Sequence, residues 1–128
     1  MQYHNPILPG MFPDPSMAVV NGTYYLANST FQYYPGIALS KSTDLLHWTR
    51  LPVAATNSVQ ADLRTAKSNE GIFVVNQRYH NGWFSAITTN FAEFKSLILP
   101  GQIHGASIVW GTTRRTVDLP AIAPVLFF

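Results

Sequence analysis

Two Asn-Gly pairs, Asn21-Gly22 and Asn81-Gly82, stand 60 residues apart, each inside a β-rich run: residues 19–29 around the first and 78–88 around the second. A two-residue hairpin of type I′ needs positive φ at both turn residues, which Asn and Gly accept most easily, so each pair dictates a tight β-hairpin. Two hairpins of one kind at one period call for a repeated four-stranded unit and an all-β chain. In the first unit, strands are expected near Met17–Val20, Thr23–Asn28, Ile37–Ser40 and Trp48–Leu51. The Asp44–Trp48 segment links the third to the fourth, with Trp48 expected to pack between units. Residues 53–67 read as a polar crossover with no sustained period. A second unit begins near Gly71 with Ile72-Phe73-Val74-Val75. No stretch has the pattern of a helix of any length, and residues 90–95 suit a turn at most.

Composition narrows the function classes. Of 128 residues, 47% are hydrophobic and only 11% charged, against roughly 25% charged in an average globular chain. The net charge of +2 rests on eight Lys plus Arg and six Asp plus Glu, and Arg114-Arg115 is the one basic doublet. That is no nucleic-acid footprint. The chain has no cysteine, so disulfides, thiolate nucleophiles and cysteine metal sites are excluded. No apolar run approaches the ~18 residues of a membrane span, and Met1-Gln2-Tyr3-His4 lacks the basic and apolar parts of a secretory signal. The compartment stays open. His4, His47, His80 and His104 lack metal-ligand spacing, so neither a metal nor another cofactor is expected. No serine sits in a nucleophile-elbow context.

The run Asn5-Pro6-Ile7-Leu8-Pro9-Gly10-Met11-Phe12-Pro13-Asp14-Pro15-Ser16 carries the chemistry. Its prolines forbid a helix and make it a stiff loop feeding the first strand. Asp14 lies between two prolines that have no N–H, and the pre-proline restriction predicts an extended backbone there. Such a carboxylate is aimed, as a general base must be. On turn chemistry alone an aspartate beside proline is an ordinary turn residue.

Further motifs follow in order: Thr23-Tyr24-Tyr25-Leu26, then Phe31-Gln32-Tyr33-Tyr34-Pro35-Gly36, then Ser40-Lys41-Ser42-Thr43-Asp44-Leu45-Leu46-His47-Trp48. Together with the proline-rich run they resemble the opening of glycoside hydrolase family 43, in its β-xylosidase and α-L-arabinofuranosidase branch. The resemblance implies a five-bladed β-propeller and inverting hydrolysis by three carboxyl groups on xylo- or arabino-oligosaccharides. It implies that Asp14 is the general base and that Phe31 and Phe73 touch the sugar. The expected organisation is one incomplete propeller domain over 1–128, with blade one at about 14–52, blade two at about 71–112 and the start of blade three at about 119–128.

Departures gather in the second half. The family's Trp-Ala-Pro stands here as Phe73-Val74-Val75, and its tyrosine after the second hairpin as Ser85. Ala123 occupies the position of the aspartate that orients the acid, and Val125 follows where serine is usual. The sequence stops at Phe128, before the region of the family's acid glutamate. The other carboxyls, Asp44, Asp62, Glu70, Glu93 and Asp118, read as solvated or capping groups, and Glu93 could be an acid only if buried. Three readings follow: a truncated, inactive copy of the glycosidase; a carbohydrate-binding protein that keeps the aromatic pocket; or a subunit whose further blades come from another chain. Unpaired strand edges would favour self-association. Apolar faces such as Val125-Leu126-Phe127-Phe128 lead us to expect a marginally stable, aggregation-prone chain.

Overall fold

The computed structural model describes residues 3–91 in full and, beyond them, the backbone of three strands. The described residues contain no helix. The first sheet is antiparallel in the order β1 (Ser16–Val20), β2 (Thr23–Ser29), β3 (Ile37–Ser42), β4 (Thr49–Arg50). The second runs β5 (Ile72–His80), β6 (Trp83–Asn90), β7 (Lys95–His104), β8 (Ser107–Trp110), with β9 (Arg115–Asp118) also on β7. β8 pairs with Gly101–His104 and β9 with Lys95–Ile98, so the two lie in line along one edge of β7. The second sheet continues to Asp118. The first sheet has four strands and the second five, β8 and β9 sharing one edge position, and together they make a partial β-propeller. The segment expected to start a third blade, 119–128, lies outside the described residues.

Both Asn-Gly pairs form the expected hairpins. Val20 pairs with Thr23 and His80 with Trp83, leaving exactly two turn residues in each case, all with positive φ between 48° and 84°. A Cβ added at Gly22 or Gly82 would meet nothing within 4 Å, so the cost of alanine there is purely that of the left-handed backbone. Each of Gly22→Ala and Gly82→Ala is expected to lose about 1 kcal/mol, read from urea unfolding.

The core lies between the sheets and is sealed by the crossover. Phe84 of β6 is fully buried, with the rings of Tyr25 and Tyr79 each 5.0 Å from its own. Residues 53–67 are more than a polar connection: Ala54, Ala55, Ala61 and Leu63 are buried with Ile37, Leu39 and Ile72. Small side chains in an irregular segment can pack without any period. The Tyr34 hydroxyl secures this segment, donating to the Ala61 carbonyl at 2.5 Å and accepting from Leu63 N–H at 3.2 Å. Trp48 does not join that core. It is half-buried and donates its indole N–H to the Leu45 carbonyl at 2.9 Å, within its own link.

One polar side chain joins the sheets. Gln77 on β5 is fully buried; its amide nitrogen donates to the Ser16 carbonyl of β1 at 2.7 Å and the Tyr25 carbonyl of β2 at 2.5 Å. Its backbone N–H donates to Ser16 Oγ at 3.0 Å. Just upstream, the register slips by one residue between Phe73 and Asn76. This bulge sets Val75 and Gln77 inward and leaves Val74 exposed.

Candidate active site

Asp14 is not extended. Its φ is +51°, in the left-handed region, contrary to what the following proline alone predicts. Contacts from β2 explain the difference. Pro13 and Pro15 bring no N–H, so the loop's carbonyls must find donors elsewhere. The Asn28 amide donates to the Phe12 carbonyl at 3.0 Å and to the Pro13 carbonyl at 3.1 Å, while Ser29 N–H donates to the Pro13 carbonyl at 3.2 Å. Aspartate tolerates the left-handed region better than most residues. The Ser29 hydroxyl then donates to Asp14 Oδ2 at 2.7 Å. Among the described residues this is the one side-chain hydrogen bond to the carboxylate, and Oδ1 is left for water or a ligand hydroxyl.

The same end of the sheets carries the aromatic residues. Phe31 follows Ser29 by two positions and also has a left-handed φ, +53°, an outlier for a bulky residue and so a conformation that its surroundings must impose. Its carbonyl accepts Ile72 N–H at 2.9 Å, which ties it to the first residue of β5. Phe73 stands edge-on to Phe31, with centroids 5.7 Å apart and planes at 75°. Phe91, beyond the end of β6, also packs on Phe73, with ring centroids 5.4 Å apart. Phe31 and Phe73 are both half-buried, so the structure brings the two expected sugar-contacting residues into one cluster. Asp14 sits at the start of β1 and is bonded to the end of β2, at the sheet end from which Phe31 departs. Sequence reasoning singled out neither Ser29 nor Phe91. Three consecutive polar residues, Asn28-Ser29-Thr30, closing an otherwise apolar strand were the available signal for the first.

Comparison with known proteins decides the family. The model of glycosyl hydrolases family 43 matches residues 3–108. The chain belongs to that family. Among curated relatives, the xylan 1,3-beta-xylosidase of Vibrio sp is 40% identical over 118 residues, and the non-reducing end alpha-L-arabinofuranosidase of Bacteroides ovatus is 39% identical over 90. These alignments cover 90% and 70% of this chain but only 22% and 17% of the relatives. The crystal structure of a family 43 protein from Bacillus licheniformis superposes with a TM-score of 0.78 at 29% identity, covering 93% of this chain and 25% of that one. For xylan beta-1,4-xylosidase from Bacillus halodurans the values are 0.73, 32%, 85% and 22%. The two sheets are thus part of a five-bladed β-propeller.

In a family 43 chain the remaining carboxyl groups become the question, and the described ones are occupied in turns. Asp44 accepts a hydrogen bond from His47 Nδ1 at 2.6 Å and others from the backbone N–H groups of His47 and Leu46 and from the Ser42 hydroxyl. These hold its carboxyl well below the usual range, the His47 side chain most of all, so it is ionised at neutral pH. Asp62 is clamped by the Arg64 fork at 2.8 and 2.6 Å, and Glu70 accepts Lys67 N–H at 2.9 Å. Glu93 and Ala123 lie outside the described residues, and Asp118 ends β9, where the backbone alone is described. A hollow lined by Tyr3, His4, Pro6, Ile7, Leu46 and His47 includes none of Asp14, Phe31 or Phe73. Its walls hold no carboxylate, so we do not place the chemistry there.

Proposed function

We propose that these residues form the general-base side of a family 43 glycosidase site for xylo- or arabino-oligosaccharides. Asp14 is the base, and Phe31 and Phe73 are the apolar floor under the sugar. The observation that carries this reading is the Asp14 carboxylate, bonded at Oδ2 to Ser29 with Oδ1 left open, at the sheet end that carries the Phe31–Phe73 pair. In the proposed reaction Oδ1 takes a proton from water, the water oxygen bonds to the anomeric carbon, and the bond to the leaving oxygen breaks as that oxygen receives a proton from a second carboxyl group. Inverting enzymes need that acid about 6.5–9.5 Å from the base. Asp44, Asp62 and Glu70 are each engaged in local turns, and Ala123 cannot orient an acid. We therefore propose that the 128 residues by themselves bind sugar without turning it over, and that the acid comes from outside them.

Release of nitrophenol from aryl β-xyloside and aryl α-arabinofuranoside, by the chain and by Asp14→Asn, tests this. Equal background rates are expected. Activity that disappears in Asp14→Asn would mean that an acid is present within these residues after all. A second reading, completion by another polypeptide, is supported by Trp83 and Ile87, which are 50% and 45% exposed on the outer face of β6. A defined complex in sedimentation would favour it.

A further inference from the structure

We infer that Ser29 is the positioning residue of the Asp14 carboxylate: its buried hydroxyl holds Oδ2 so that Oδ1 alone faces the ligand. The inference rests on the proposed role of Asp14 as the group that meets sugar or water. Ser29 is fully buried and makes two bonds to the same loop, its N–H to the Pro13 carbonyl at 3.2 Å and its hydroxyl to Asp14 Oδ2 at 2.7 Å. The bonds that the Asn28 side-chain amide and the Ser29 N–H donate to the Phe12 and Pro13 carbonyls fix the loop backbone before Asp14, but they do not touch its side-chain torsions χ1 and χ2. Among the described residues the Ser29 hydroxyl is the one hydrogen-bond donor to the carboxylate. A carboxylate rotates about a broad, two-fold terminal torsion, and a hydrogen bond to a charged acceptor is among the stronger ones. Held at Oδ2, the group presents Oδ1 in one orientation. Released, it spreads over several.

The test uses Ser29→Ala, Asp14→Asn and the double variant, with methyl β-xyloside as the titrant and crystal structures of the chain and of Ser29→Ala. In Ser29→Ala the loop backbone should stay in place, φ of Asp14 included, while the carboxylate turns away from its original site. Affinity for methyl β-xyloside should fall about tenfold, the worth of one charged hydrogen bond. The double variant should bind no more weakly than Asp14→Asn alone, because Ser29 acts only through Asp14. If Ser29→Ala does not fold, Ser29→Cys, close in volume and a weaker donor, takes its place with the same expectations. A carboxylate unmoved in the variant crystal overturns the inference whatever the sugar does, as does a double variant weaker than Asp14→Asn. If instead Asp14→Asn binds as tightly as the unaltered chain, the reading of Asp14 as the sugar-facing group fails, and the crystal structures still decide whether Ser29 positions it.

Discussion

Gly71→Ala should lose on the order of 3 kcal/mol or more of stability, several times the loss at either hairpin glycine. Gly71 has φ +95°, which already disfavours a side chain, and an added Cβ would lie 2.4 Å from the Phe31 carbonyl oxygen and 2.8 Å from its carbon. Both are backbone atoms, and neither can turn aside as a flexible side chain could. The approach is close because this is where the two sheets are joined: Ile72 N–H donates to the Phe31 carbonyl, and Phe91 N–H to the Gly71 carbonyl at 2.7 Å. Against a total of ~5–15 kcal/mol for a typical domain, the loss would leave a large unfolded fraction. Any folded remainder should have Phe31 displaced from Phe73 and bind sugar poorly. Urea unfolding beside Gly22→Ala makes the comparison, and equal losses in the two variants would mean that Phe31 does not seat against Gly71.

The second large effect is at Gln77, where the substitution Gln77→Glu exchanges an amide donor for a carboxyl. The amide nitrogen faces two carbonyl oxygens, of Ser16 and Tyr25. An ionised carboxylate there would be buried, unpaired and repelled by both, at a cost of about 3–5 kcal/mol near neutral pH. Burial and the two carbonyls would raise the new carboxyl's pKa in the folded state above its unfolded value, so the folded chain would hold the proton more tightly. The sign follows. The variant's stability is greatest below the unfolded carboxyl range, near pH 4, and falls as pH rises through the folded value. The melting temperature of Gln77→Glu, relative to the unaltered chain, should therefore drop between pH 4 and pH 7. A difference that does not change with pH would show that the side chain leaves its buried position.

These two positions also mark what could and could not be read before folding. The hairpins were legible because Asn-Gly is a local signal: its two residues determine the turn by themselves. The strands followed from the turns, with boundaries within a residue or two for β1 and β2. The sequence puts Asp14 at the head of β1, but its left-handed backbone is not legible there. The pre-proline rule is local, whereas its left-handed turn is held by Asn28 and Ser29, some fifteen residues away. Gln77 shows the same limit, since a glutamine in a strand has no distinctive period and its meaning lies in the Ser16 and Tyr25 carbonyls of the other sheet. The crossover of residues 53–67 looked polar because its polar residues are more conspicuous than Ala54, Ala55 and Ala61, which fill the seam. Phe31 and Phe73 could be named only through the family resemblance. Their edge-on contact depends on Gly71 and on the bulge at Val74-Val75, neither of which has a one-dimensional signature.

Asp14, Phe31 and Phe73 are proposed to form one sugar site. This is tested most directly by titrating methyl β-xyloside and methyl α-arabinofuranoside into isotope-labelled chain and following the amide resonances. Saturable shifts concentrated at Asp14, Ser29, Phe31 and Phe73 are expected, together with their loss in Asp14→Asn. Shifts confined to the hollow around His4 and His47, or to the Trp83 hairpin, with Asp14 and Phe31 unmoved, would contradict it.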